Sequence, residues 1–298
     1  MQQASSTSVS IEQGNTIPRR WRVLRMDCGQ SFILMSCAFL LNSVPKSGTH
    51  LLGKLIHLLP GVHESGVVLQ PRSRDLDAPC DPGPATPVGI DGPRMFPVKL
   101  IRAVLGRVAP GTCATGHVPF SEAMAALLME LRMKSVLILR DPRDVAVSHA
   151  RFVSQTPTSK FHDHFRSLSD SEQLRLSITG FSHDVIQLLN LRDRVANVLP
   201  WRATPFTYTT SFERLVGPQG GGSREAQFEE IRNICRHIEV EGADAESLAD
   251  QLFGGTRTFR KGMVGGWRGH FTDEHKRLCK ELAGQLLIDL GYEKDLDW

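Results

Sequence analysis

The sequence predicts a single α/β domain with a mostly parallel central sheet flanked by helices. Two apolar runs typical of buried strands, residues 38–44 and 135–139, each lead into a polar turn and then a helical pattern. Strands that alternate with helices build parallel sheets, because a parallel pair needs a long crossover connection. With 298 residues, 41% of them hydrophobic, the chain can bury one large core. We therefore expect a polar, partly disordered extension over residues 1–30 and one domain over residues 31–298.

The first polar turn, residues 45–49, has the composition of an anion-binding loop between a strand and a helix. The first N–H groups of a helix have no intrahelical partner and therefore bind anions. Lys46 adds charge, Gly48 permits a close approach, and the hydroxyls of Ser47 and Thr49 add donors. The loop differs from the nucleoside triphosphate loop, in which the Lys follows a second Gly. It therefore indicates another phosphate ester, and the alternative is an ordinary strand-to-helix connection.

The second polar turn follows the strand at 135–139. Pro142 suits the first turn of a helix, and either Asp141 or Asp144 can cap that helix. Arg140 stands at the carboxyl end of the strand, where open parallel sheets bind their ligands. The alternative is a surface ion pair between Arg140 and Asp144, which contributes at most ~1 kcal/mol.

A third segment combines charge with backbone freedom. Arg260 and Lys261 stand next to Gly262, and two more glycines follow at positions 265 and 266. Two adjacent cations can clamp a phosphate through charge-assisted hydrogen bonds. The alternative is a basic loop that is simply solvated.

Together, and in this order, the three segments resemble motifs of the sulfotransferase family that uses 3′-phosphoadenosine 5′-phosphosulfate (PAPS) and releases adenosine 3′,5′-bisphosphate (PAP). They match its Pro-Lys-Ser-Gly-Thr loop, its Arg-x-Pro-x-Asp-x-x-x-Ser motif and its Arg-Lys-Gly-x-x-Gly-x-Trp motif, within a resemblance over about residues 38–294. The resemblance implies that the first turn holds the 5′-phosphosulfate and that the other two hold the 3′-phosphate. The residues implied to bind the donor are Lys46, Ser47, Gly48, Thr49, His50, Arg140, Ser148, Phe212, Arg260, Lys261 and Gly262.

The same resemblance implies the catalytic residues. His117 lies in a Thr-Gly-His-Val-Pro segment that is similar to the family's Thr-His-Leu-Pro segment, where the His is the general base. An imidazole with a pKa near 6.5 suits that task. Lys46 is expected to neutralise charge on the oxygen that bridges phosphorus and sulfur. The alternative is a purely structural role for His117, in which case His50 or Glu122 would act as the base.

Several positions depart from the family pattern. Leu51 stands where a Trp commonly stacks on adenine, and Thr115 stands where many members have a Lys. Phe212 occupies the Tyr position of a Tyr-Glu-Asp-Leu stretch, so a hydroxyl contact is lost there. The family's dimer motif is degraded, and the oligomeric state is left open.

Composition limits the other possibilities. A net charge of +3 is too balanced to indicate nucleic acid or a membrane surface as a partner. The six Cys show no metal-ligand spacing, which favours reduced thiols, a cytoplasmic location and no metal. The proline-rich stretch 71–97 is expected to be a loop that lies where the pocket of a small-molecule acceptor is built. The stretch 152–174 is expected to be another wall or lid of that pocket, and the alternative for it is an amphipathic surface helix.

The sequence therefore predicts a PAPS-dependent sulfotransferase that acts by direct in-line transfer to a hydroxyl or amine. Two alternatives stay open at this point. One is a catalytically inactive protein that binds PAP or PAPS, and the other is a nucleotide-dependent phosphotransferase, which would need magnesium.

Overall fold

The computed structural model describes the backbone of residues 23–25 and 31–33 and, with side chains, residues 37–72, 76, 83–184, 186–255 and 262–298. Most of the extension predicted at 1–30 lies outside these residues. The chain divides into two compact units, Met1–Leu34 and Met35–Trp298. In the first unit, β1 (Val23–Arg25) pairs antiparallel with β2 (Ser31–Ile33).

The second unit is built on a five-stranded parallel sheet. Its strands are β3 (Phe39–Ser43), β4 (His63–Leu69), β7 (Thr112–Gly116), β8 (Lys134–Leu139) and β11 (Thr207–Ser211). Their spatial order is β11-β8-β3-β7-β4, and every pairing in this sheet is parallel. The mostly parallel sheet predicted from the sequence is therefore confirmed.

Helices cover both faces of this sheet. They are α1 (Thr49–Leu58), α2 (Val98–Leu105), α3 (Glu122–Glu130), α4 (Pro142–Gln155), α5 (His162–Phe165), α6 (Asp170–Thr179), α7 (Leu191–Ala196), α8 (Phe212–Leu215), α9 (Arg224–His237), α10 (Ala245–Leu252) and α11 (Asp273–Asp289). Alternate strand residues enter opposite cores, since Leu40 and Leu137 belong to one apolar cluster and Leu41 and Val136 to the other.

Local signals explain where the two site-forming helices begin. α1 starts after Gly48, which adopts a left-handed conformation with φ of 113°, and ends just before Pro60. α4 carries Pro142 in its first turn, and the carboxylate of Asp141 caps it by accepting the N–H of Arg143. Both helices therefore begin a short turn after the end of a strand.

The strand order places a crevice at the carboxyl end of β3. The crossover through α1 leads from β3 to the edge strand β4, whereas β8 and β11 lie on the other side of β3. Such a change of direction opens a crevice where α/β sheets bind ligands. The segments that follow β3, β7, β8 and β11 all reach this edge.

The proline-rich stretch 71–97 differs from the predicted loop. It contains an antiparallel hairpin of β5 (Ala85–Val88) and β6 (Arg94–Pro97). A two-stranded hairpin has no interior strand, so Pro87 and Pro97 are tolerated in it. Residues 73–75 and 77–82 of this stretch lie outside the described part of the chain. A second hairpin pairs β9 (Phe181–His183) with β10 (Ile186–Leu188).

Candidate active site

The turn between β3 and α1 has an unusual backbone. Lys46 and Gly48 both adopt left-handed conformations, with φ of 73° and 113°. For a residue with a side chain such as Lys46, that conformation costs roughly 1–2 kcal/mol. Glycine is required at position 48, because an added Cβ would lie 2.9 Å from Ile138 and 3.1 Å from Phe212. The turn is therefore held in a fixed, strained shape by the neighbouring strand β8 and by α8.

Ser47 lies in this turn, but its hydroxyl faces the protein interior. It donates to the carbonyl of Val44 at 2.7 Å and to that of Ile138 at 2.9 Å, and the side chain is fully buried. The sequence-based expectation was a donor to the ligand. In the structure this hydroxyl instead fixes the turn to β8. The features of the turn that face outward are therefore the charge of Lys46 and the N-terminus of α1.

Lys46 and His50 lie on the outer side of the turn. The Lys46 ammonium group is 4.1 Å from the centroid of the Phe152 ring on α4, a cation–π contact. His50 is exposed in the first turn of α1. Phe152 begins the stretch 152–174 that the sequence predicts to line the pocket, but its contact with Lys46 could not be predicted, because the two residues are far apart in the sequence.

Arg140 connects the first turn to the third segment. Its guanidinium donates to the carbonyl of Met263 at 2.9 Å and to that of Lys46 at 3.4 Å, and lies 4.1 Å from the Phe212 ring centroid. Its Nε is buried and has no hydrogen-bond partner among the described residues. Phe212 therefore orients Arg140 through its ring, a role that needs no hydroxyl.

Asp144 holds the glycine-rich segment in place. Its carboxylate accepts the N–H groups of Gly265 and Trp267, both at 2.8 Å, and lies 3.7 Å from Arg140. Burial raises the pKa of this carboxyl, although Arg140 and the two N–H donors favour its charged form. The ion pair with Arg140, the alternative given above, exists, but it is largely buried, and the Asp144 carboxylate has a second set of partners.

Of the remaining residues assigned to the 3′-phosphate, the structure describes Gly262, next to Met263, and Ser148 on α4. Gly262 has φ of 56°, and Val264 donates its N–H to the carbonyl of Gly220 at 2.9 Å. Ser148 is half-buried on α4, one helical turn beyond Asp144. Arg260 and Lys261, the two expected clamp cations, lie outside the described residues.

His117 follows the carboxyl end of β7 and lies beside the first turn. Its Nδ1 is 2.8 Å from the carbonyl oxygen of Ser43 and 3.1 Å from the Ser43 hydroxyl. A carbonyl only accepts, so Nδ1 carries the proton and the neutral ring has its lone pair on Nε2. The Ser43 hydroxyl is also 2.6 Å from that of Thr49. Ser43 therefore links the imidazole directly to the start of α1.

Burial also tunes the basicity of this imidazole. It lowers the pKa of His117 below its usual range, although the Ser43 carbonyl and the Asp91 carboxylate favour the charged form, and the Lys46 charge lowers the pKa further. The ring is therefore neutral near pH 7. A neutral, fixed imidazole at a ligand-binding crevice can accept a proton.

Asn42 positions His117, and the sequence analysis did not identify it. Its amide donates to the carbonyl of Val118, and its Oδ1 accepts the N–H of Val118, both at 2.9 Å. The same oxygen accepts the N–H of Ser43 at 2.9 Å. The one signal that the sequence offered for this role is an Asn near the end of an otherwise apolar strand. In the structure its side chain is fully buried, and a buried amide needs hydrogen-bond partners.

A buried ionic cluster lies beyond His117. Asp91 accepts a hydrogen bond from Arg194 at 3.4 Å and lies 3.5 Å from Nε2 of His149. Arg194 is 0% exposed, and burial lowers the pKa of His149. Phe161 and Phe165, from the stretch expected to be a pocket wall, are buried against the ring of His149 at centroid distances of 6.4 and 6.1 Å.

Comparison with known proteins agrees with this architecture. Residues 38–291 match the sulfotransferase domain family. The fold is similar to that of mouse sulfotransferase SULT7A1 solved with PAP, with a TM-score of 0.58 and 17% identity over 90% of this chain and 97% of that one. A retinol dehydratase solved with androsterone and PAP aligns with a TM-score of 0.49 and 16% identity over 85% of this chain and 81% of that one. No curated protein sequence matches the chain.

Two further findings concern membranes and metals. Among the described residues, no helix is both long and apolar enough for a membrane crossing. The same part of the chain brings together no group of three or more His, Cys, Asp or Glu side chains that could hold a metal ion.

Proposed function

Because the chain belongs to the sulfotransferase domain family, we propose that it transfers the sulfuryl group of PAPS to a hydroxyl or amine of a small-molecule acceptor. One observation carries the proposal. The Ser43 hydroxyl lies 2.6 Å from that of Thr49 and 3.1 Å from Nδ1 of His117, so a neutral imidazole adjoins the anion-binding turn. A base and an anion site side by side are what in-line transfer requires.

The donor is assigned to residues at the carboxyl edge of the sheet. Lys46, Gly48 and Thr49 would hold the 5′-phosphosulfate at the N-terminus of α1, where backbone N–H groups favour an anion. The unpartnered, buried Nε of Arg140 supports a role for this side chain at the 3′-phosphate, together with Ser148. The proposed donor site also includes His50, Arg260, Lys261 and Gly262, together with Phe212, which acts through Arg140. The PAP bound to mouse SULT7A1 is consistent with this donor.

The proton transfer is assigned to His117. PAPS supplies the sulfuryl group, and the acceptor must lose a proton as it attacks. The hydrogen bond from Nδ1 of His117 to the Ser43 carbonyl keeps the lone pair of the imidazole on Nε2, and the lowered pKa of His117 keeps the ring neutral. Lys46 would stabilise the charge that develops on the departing phosphate. This direct displacement needs neither a metal nor a covalent enzyme intermediate.

We also infer a cytoplasmic location. Cys37, Cys113, Cys235 and Cys279 are free and buried. Burial raises the pKa of Cys113, Cys235 and Cys279 to about 12, 11 and 12, which keeps these thiols protonated and unreactive. Free thiols suit a reducing compartment.

The proposal is tested by ligand-induced thermal stabilisation. PAP should raise the melting temperature more than AMP, ADP or ATP with magnesium, since a ligand at 100 times its Kd adds ~2.7 kcal/mol to stability. The stabilisation should be lost in Arg140→Ala and kept in Arg277→Ala, because Arg277 is an exposed partner of Glu281 on α11. A preference for ATP with magnesium would favour phosphotransfer instead.

A further inference from the structure

The C-terminal tail, residues 291–298, folds back onto the elements that build the donor site. Gly291 has φ of 77° and reverses the chain after α11. The Tyr292 hydroxyl then donates to one carboxylate oxygen of Glu213 at 3.3 Å. The other oxygen of Glu213 accepts the N–H of Asp141 at 2.8 Å. The tail therefore contacts, through one carboxylate, the segment that directly follows Arg140.

Arg143 is the second point of contact between the tail and the site. Its guanidinium is 1% exposed and pairs with Asp141 at 2.8 Å and with Glu293 of the tail. Its Cζ lies 4.0 Å from the ring centroid of Trp267 and 4.4 Å from that of Trp298. A buried cation between two carboxylates and two indole rings fixes the relative positions of all four groups.

Trp267 transmits this arrangement to the glycine-rich segment. The Asp144 carboxylate accepts the backbone N–H groups of Gly265 and Trp267. The Trp267 ring packs on Arg143 and on the ring of Trp298, and the centroids of the two indole rings are 5.3 Å apart. The carbonyl of Met263, a few residues earlier, accepts the hydrogen bond from Arg140. The position of the segment at 262–267 thus depends on the tail as well as on α4.

We propose that Trp298 and Glu293 are positioning residues that hold the described part of the 3′-phosphate clamp, Arg140 and the segment at 262–267, in its binding geometry. The inference rests on the proposed function, which assigns this clamp to the donor. Trp298 acts through packing, because its indole Nε1 is buried without a hydrogen-bond partner among the described residues. An aromatic ring without an N–H group, such as that of Phe, should therefore be able to take over the packing role of the Trp298 indole.

Titration calorimetry with PAP and with AMP tests the proposal on the full chain. AMP lacks the 3′-phosphate, so a positioning role at the clamp predicts a selective loss. In Trp298→Ala the Kd for PAP should rise about tenfold, within the usual range of coupling between sites, while the Kd for AMP changes less than about twofold. Trp298→Phe should restore the affinity for PAP. Leu296→Ala is the matched control, since Leu296 packs on Gly284 of α11, and it should bind both ligands like the unmodified protein.

The outcomes distinguish a failure of the positioning role from a failure of the proposed function. Equal weakening of PAP and AMP in Trp298→Ala would show general loosening of the structure and overturn the positioning role, as would unchanged PAP binding. Failure of the unmodified protein to bind PAP would overturn the proposed function itself. If Trp298→Ala does not fold, Glu293→Gln decides by the same criterion, because it removes the charge that pairs with Arg143 and keeps the shape of the side chain.

Discussion

Removal of the His117 imidazole should abolish most of the turnover and leave PAP binding intact. The structure separates the two effects, because the imidazole of His117 is hydrogen-bonded to Ser43, whose hydroxyl in turn lies beside that of Thr49 at the start of α1. The substitutions to compare are His117→Ala and His117→Asn. Asn can still donate to the Ser43 carbonyl, so it preserves the local hydrogen bond while it removes the basic Nε2.

The expected magnitude follows from the protonation state of the ring. Burial lowers the pKa of His117, so the imidazole is neutral near pH 7 and its full capacity as a base is available. Positioned base catalysis contributes about 10²–10⁴-fold, which corresponds to ~2.7–5.4 kcal/mol in the barrier. Both variants should therefore lose at least ~100-fold in kcat.

The same pKa sets the pH dependence. A base must be deprotonated to act, so kcat/KM should be constant above the pKa of His117 and fall tenfold per pH unit below it. Because the pKa of His117 is lowered, this acid limb should lie below the ordinary imidazole value of about 6.5. In His117→Asn the limb should disappear together with most of the activity.

The assay combines PAP release in the presence of a screened acceptor with calorimetric binding of PAP. His50→Ala is the comparison variant, since His50 is the alternative base and is exposed on α1 near the same turn. Full turnover in His117→Ala, combined with a loss in His50→Ala, would refute the assignment of the base. If His117→Asn lost PAP affinity by the same factor as kcat, His117 would contribute to binding as well as to turnover, and the separation of the two effects would be refuted.

Two further substitutions test how the site is held. Gly48→Ala should lower the free energy of unfolding by about 2–4 kcal/mol in urea, because a left-handed conformation and a 2.9 Å contact with Ile138 must both be relieved; a loss below ~1 kcal/mol would contradict this. Asp91→Asn should cost ~3 kcal/mol in the same assay, since it leaves the charge of the fully buried Arg194 without its ionic partner. Asp163→Asn, in an exposed pair, should change stability by less than ~0.5 kcal/mol, and equal losses in the two variants would contradict this explanation.

The fold and the two strand-turn-helix units could be predicted because their signals are local. An apolar run followed by a Pro and a capping Asp specifies the end of β8 and the start of α4 without reference to the rest of the chain. The direction of the Ser47 hydroxyl could not be predicted in this way. Its acceptor, the Ile138 carbonyl, belongs to a strand 91 residues away, and only the sheet order brings the two together.

The same limit applies around His117. The residue itself could be found from its flanking sequence, but its proton is placed by the Ser43 carbonyl, and Asn42 fixes the neighbouring Val118. Both partners lie at the end of β3, which reads from the sequence as a simple apolar strand. Their importance depends on β7 pairing with β3, and that pairing is a property of the sheet as a whole.

The first turn of α4 shows how the described part of the proposed donor site is held in place before any ligand binds. Read locally, Asp141 and Asp144 are capping residues. In the structure Asp141 also pairs with Arg143, and Asp144 also holds the N–H groups of Gly265 and Trp267. Asp144 therefore bonds to a distant segment, and Asp141 holds Arg143, which also pairs with Glu293 of the tail, so less of the proposed clamp needs to be ordered by a ligand. Because ordering a loop consumes binding energy, this preorganisation would favour tight binding of the proposed bisphosphate by a small number of contacts.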